Sequence, residues 1–258
     1  MRKRLFILLL LSGAFASVAP SSVNAQVFSS GPAALAQQMP TIYAPYLANI
    51  SRIQVVQKRE RPSSPPASGS KRPVGQTPTK RPTENSPAAG DTTFHSTQPA
   101  FVPQQLAARL GKTKQERQYI ESTLTKCLNF YIDTAKQKGV PLNDVTLALN
   151  YYIGTNYSVY SIGAGPTLAQ LNATQILIHD NLVHDDVFRR MSDKQKQEAY
   201  ETLIVLAGFV DLGFGTLRKS GDAKSAEPFR EMAKFNLETL LGAPIEKISF
   251  TNDGLVVN

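Results

Sequence analysis

The chain has 258 residues, a formal net charge of +8, one cysteine and no tryptophan. The charge is unevenly placed: residues 101–258 carry 17 basic against 17 acidic side chains, and the excess sits in residues 1–4 and 51–100. A neutral domain offers no general nucleic-acid surface and no strong steering of anionic substrates, and a lone cysteine excludes an intrachain disulfide.

At the start, Arg2-Lys3-Arg4 precedes an apolar core over residues 5–11, and Val23-Asn24-Ala25 presents small residues at the −3 and −1 positions. This is the form of a secretory signal peptide, with cleavage expected after Ala25 and a mature chain from Gln26. The apolar stretch is too short for a lasting anchor. No cysteine lies near the cleavage site, which argues against a lipoprotein anchor. A short Arg/Lys-led signal and the absence of disulfides point to a secreted or periplasmic protein of bacterial type.

Residues 26–57 form a short N-terminal segment with Ile42, Tyr43, Tyr46, Leu47, Ile50, Ile53, Val55 and Val56 in no clear period. Two readings stand: it adds a strand or helix to the main domain, or it grips a partner. Residues 58–100 are dominated by Pro, Ser, Thr, Gly, Lys and Arg, and bury too little apolar surface to offset chain entropy. We read them as a disordered basic linker. Its Arg61-Pro62, Arg72-Pro73 and Arg81-Pro82 pairs suit an extended spacer able to touch an acidic envelope surface.

Residues 101–258 predict a mainly α domain, a bundle of about five helices with a small C-terminal β-hairpin. Thr113-Lys-Gln-Glu116 has capping-box form and precedes Ile120, Leu124, Cys127, Leu128, Tyr131 and Ala135 at helical spacing, until Gly139 and Pro141 stop the pattern. A second helix fits 143–160, and a third, less regular region covers 167–191. Ser192 or Asp193 caps a long fourth helix to Lys219, whose apolar run 202–217 is broken only by Asp211. That run reads as the buried core of a bundle rather than a membrane span. A fifth helix fits 223–241, and residues 245–250, Asn252-Asp253-Gly254 and 255–257 read as the hairpin.

His179 and His184, with Asp180, Asp185 and Asp186, are the weak candidates for a metal site. Five residues place the two imidazoles about 140° apart around a helix, so they do not converge, and we expect neither metal nor cofactor. Cys127 lies in an apolar stripe and reads as core. No nucleophile elbow, Walker loop or zinc-protease motif is present. On helical wheels, Asn156, Asp211 and Asn236 each fall on the apolar side of their helix. Buried polar groups need partners, so these three form a candidate cluster, either a structural network or a ligand or reaction site.

The segment Asn150-Tyr-Tyr-Ile-Gly-Thr-Asn156-Tyr, with Met191-Ser-Asp-Lys-Gln195-Lys-Gln-Glu-Ala-Tyr200-Glu, resembles a family of exported bacterial helical proteins with a domain of unknown function. The resemblance spans roughly residues 101–242, implies bacterial origin and a helical domain, and transfers no catalytic residue. The expectation is an exported helical binding or scaffolding protein of the bacterial cell envelope. Its expected partner is an envelope protein or acidic surface component, with no nucleic acid, no transmembrane span in the mature chain and the oligomeric state open. The alternative is an envelope enzyme with a polar site around Asp211.

Overall fold

The computed structural model describes residues 32–51 and 91–258. The signal peptide, its cleavage point, both ends of the expected 26–57 segment and residues 58–90 of the expected linker lie outside them. The described residues form eight α-helices, a short 3-10 turn and one two-stranded antiparallel sheet.

Helix boundaries follow local chemistry. α1 spans Pro32–Ser51 and α2 spans Val102–Leu110. α3, Lys114–Gln137, opens on the capping box: Glu116 N donates to Thr113 Oγ1, and Thr113 N donates to Glu116 Oε2. Its six periodic residues from Ile120 to Ala135 are all buried. α4, Val145–Tyr160, is capped by Asp144, and α5, Leu168–His184, by a Thr167–Gln170 box. The third region is not one helix. Asp185 takes an extended backbone conformation that ends α5, and its Oδ1 accepts from Phe188 N at 2.8 Å, starting the single turn α6, Asp186–Arg189. α7, Asp193–Lys219, starts on a Ser192–Gln195 box, and α8, Ala223–Leu241, ends on Gly242 at φ 65°, the left-handed conformation glycine adopts without strain. β1, Ile248–Thr251, and β2, Gly254–Val257, pair as a hairpin that packs on α5.

α7 is the centre of the bundle. By length and composition it could cross a membrane. Residues 199–210 are nonetheless buried without a break, and the helix packs on α3, α4 and α8. Side chains such as Leu203, Ile204, Leu206 and Phe209 each contribute about 1.5–3 kcal/mol by leaving water.

Close helix packing sets the value of two glycines in α7. A Cβ on Gly213 would lie 2.0 Å from the ring of Phe229, which is fully buried, whereas a Cβ on Gly215 would meet nothing within 4 Å. Gly213→Ala is therefore expected to destabilise by about 1–3 kcal/mol through overpacking. Gly215→Ala should stabilise by about 0.5–1 kcal/mol through helix propensity. Urea melts of the two variants should shift in opposite directions.

Two findings revise the expected domain boundaries. First, α1 packs along α8 and touches α2 and α7. Leu35, Ala36, Met39, Tyr43, Leu47 and Ile50 are buried on one face, so this segment adds a helix to the domain. Second, residues 91–100 are not linker. Thr92 O accepts from Val145 N, Phe94 N donates to Asn143 O, and the buried Phe94 ring meets Tyr200 edge-on at 5.3 Å. One aromatic anchor and a few backbone bonds seat a stretch whose average composition is polar.

Candidate functional site

Asn156 on α4 and Asn236 on α8 are brought together, and both are fully buried. Asn236 Nδ2 donates to Asn156 Oδ1 at 2.7 Å, and Asn156 Nδ2 donates to the Tyr152 carbonyl at 2.8 Å. The third member comes from the N-terminal segment: the Tyr43 hydroxyl on α1 donates to Asn236 Oδ1. Burial pushes the Tyr43 phenol well above its ordinary pKa, so it remains a donor. Each side chain in this relay has a partner, and the relay links three helices distant in sequence.

Asp211 lies elsewhere. It is half-buried on α7, and its charge is felt by Cys127 on α3 and Tyr151 on α4. Burial raises its carboxyl pKa from 3.8 to about 6, partly opposed by Lys219. The same burial pushes the Cys127 thiol up to about 12 and raises the Tyr151 phenol, so both neighbours are neutral. The three wheel positions thus resolve into an asparagine pair and a separate carboxyl group.

Comparison with known proteins gives a match to a family of unknown function, DUF6683, over residues 1–258. The chain belongs to that family. No curated protein and no solved structure matches it. The DUF6683 match extends past residues 101–242 and takes in α1 with its Tyr43.

In this DUF6683 member His179 and His184 are both exposed, and His184 Nδ1 lies 2.6 Å from the Asp180 carbonyl one turn away. Asp185 is engaged as the cap of α6. Among the described residues no three His, Cys, Asp or Glu side chains are gathered as a metal site.

Sequence reasoning missed a second buried polar cluster. Glu201 on α7 is 3% exposed, and its Oε2 accepts from Phe101 N at 2.9 Å and Val102 N at 3.0 Å, the first amides of α2. Gln197 Nε2 donates to Glu201 Oε1 and to the Gln98 carbonyl, while Gln197 Oε1 accepts from Thr97 N. Lys196 Nζ donates to the carbonyls of Asp91 and Thr93 and lies over the Phe188 ring. This clamp holds residues 91–102 on α7. The available signal was Glu201 itself, next to an apolar run too long to leave it a solvent face.

A surface groove of about 500 Å³ runs between α1 and α8. Pro40, Pro228, Met232 and Phe235 give it apolar walls, with Lys224, Glu227 and Glu231 also lining it, Glu227 being paired with Arg230 at 3.1 Å.

The raised carboxyl of Asp211 makes a signed prediction. A folded-state pKa above the unfolded value means that the folded protein binds the extra proton, so the penalty is full above about pH 6 and gone below about pH 4. Asp211→Asn should therefore stabilise by about 1–2 kcal/mol at pH 8, allowing for partial solvent screening. The gain should fade toward pH 4. Thermal melts across that range check it, and a difference independent of pH would contradict the burial account.

Proposed function

We propose that this chain is an exported binding or scaffolding protein of the bacterial cell envelope, recognising a protein segment through the α1–α8 groove. The observation that carries the reading is the division of polar groups. Tyr43 and Asn156 are both bonded to Asn236 inside the bundle, whereas the groove outside combines apolar walls with the charged side chains Lys224, Glu227 and Glu231. Such a lining, with Lys224 beside the acidic groups and Glu227 already paired with Arg230, suits a largely apolar peptide segment. Export is supported by the Arg2-Lys3-Arg4 start, the apolar 5–11 core and the small residues before Gln26.

A photo-crosslinking residue at Gln37, in the groove, should give a discrete adduct with an envelope protein, and the same residue at exposed Lys126 should not. Retention of Met1 in a cytoplasmic fraction, or equal labelling at both positions, would overturn the reading.

A second reading, an envelope enzyme acting at Asp211, is favoured by the carboxyl raised to about 6, a value suited to general acid–base work at neutral pH. Neither neighbour helps it, because the Cys127 thiol and the Tyr151 phenol are both held protonated by burial. Under this reading Asp211→Asn abolishes a measurable turnover. Under the first it leaves groove crosslinking unchanged.

A further inference from the structure

We propose that the side of α4 turned toward α5 binds an internal water molecule, which bridges the Asn150 amide and the Thr146 hydroxyl. This goes beyond the binding reading and does not depend on it.

Asn150 is fully buried, and among the described residues no group hydrogen-bonds to its Nδ2 or its Oδ1. Thr146, one turn earlier on α4 and 2% exposed, has its Oγ1 in the same condition. A spacing of four residues puts the two side chains on one face, one above the other. Two neighbouring side chains thus bring an amide donor, an amide acceptor and a hydroxyl to one buried stripe of the helix.

The same stripe shows what covers it. A Cβ on Gly154, four residues past Asn150, would lie 2.9 Å from Leu171 of α5, and the ring of Tyr157, seven past, meets Phe250 of β1 at 4.9 Å. α5 and the hairpin are therefore the elements on this side. Their polar side chains are committed elsewhere: Thr174 Oγ1 donates to the Gln170 carbonyl at 2.8 Å, and Gln170 Nε2 donates to the Phe250 carbonyl at 3.2 Å. Asn156 makes the contrast. Six residues place it about 120° around the helix from Asn150, and there protein groups satisfy it, through the Tyr152 carbonyl and Asn236 Nδ2.

Buried amides in folded proteins are almost always hydrogen-bonded, because leaving both ends unbonded forfeits the bonds that water gave them in the unfolded chain. The group that satisfies Asn150 has to accept from Nδ2, which only donates, and donate to Oδ1 or Thr146 Oγ1. A cation cannot accept from Nδ2, and a simple anion cannot donate to Oδ1. Water does both and is small enough for a packed helix seam, where buried waters make about three such bonds.

The test uses the full chain with water itself as the probe. Magnetic relaxation dispersion of the solvent oxygen nucleus counts waters held inside a protein, and protein hydroxyl protons do not contribute to it. Asn150→Leu, of similar volume, should lower the dispersion amplitude by about one water molecule relative to the parent chain. Thr146→Val, nearly isosteric, should lower it as well, since the water loses one of its two named partners. Circular dichroism establishes that each variant is folded. An unchanged amplitude in either folded variant overturns the proposal, and if Asn150→Leu fails to fold, Thr146→Val decides alone.

Discussion

Replacing Glu201 with alanine should cost about 3–5 kcal/mol and free residues 97–110 from the domain. The carboxylate is 3% exposed and accepts three hydrogen bonds, from the amides of Phe101 and Val102 and from Gln197 Nε2 at 2.8 Å. Alanine strands the two backbone amides, leaves Gln197 Nε2 with only its bond to the Gln98 carbonyl, and removes a negative charge from the N-terminus of α2, where the helix dipole favours it. Glu201→Gln keeps acceptor oxygen while giving up the charge, and should cost less, about 1–2 kcal/mol. Chemical denaturation gives the two values, and hydrogen exchange should show α2 loosened before α7. A loss below about 1 kcal/mol for the alanine variant would mean that the clamp is not what seats this segment.

Asn236→Ala is expected to cost about 3 kcal/mol, with the loss felt first in α1. The substitution removes two hydrogen bonds and leaves the Tyr43 hydroxyl and Asn156 Oδ1 buried without partners. It also leaves a space where the amide stood, facing Phe235 and Tyr43, whose rings meet at 6.3 Å. Because α1 has two interior prolines, it has little helix propensity to hold it in place once its polar contact is gone. Hydrogen exchange resolved by segment should show residues 35–47 losing protection while residues 203–210 of α7 keep theirs. Equal loss in both regions would make the asparagine a general core residue instead.

Much of the main domain was legible because its local signals agree with its packing. Thr113–Glu116 is a capping box in the sequence and in the structure, Ser192 caps α7 as expected, and the stripe from Ile120 to Ala135 is buried as its spacing requires. The Asn252-Asp253-Gly254 turn likewise closes the hairpin, with Thr251 opposite Gly254. α1 was not legible as a helix. Pro40 and Pro45 contradict its period, and Ile42 and Tyr46 blur its apolar face, so only a supporting surface decides in favour of the helix. Phe94 was hidden by averaging over its polar neighbours.

The candidate site divides along the same line. A wheel places a side chain on an inward face, and Asn156 and Asn236 are indeed buried. It carries no information on the register between helices, which decides that these two meet each other and Tyr43 while Asp211 sits by Cys127 and Tyr151. Glu201 escaped notice for the opposite reason. A charged residue two turns into a helix reads as solvated until the segment that it holds is seen to pass over it.

α1 is joined to the domain through Tyr43 and the asparagine pair, and a double-mutant cycle tests that contact. Tyr43→Phe, Asn236→Ala and the combined variant are compared with the parent chain by urea denaturation at constant pH. A coupling of at least about 1 kcal/mol is expected, since the second substitution does not remove a hydrogen bond that the first has already lost. Additive effects, with a coupling within about 0.3 kcal/mol of zero, would contradict it.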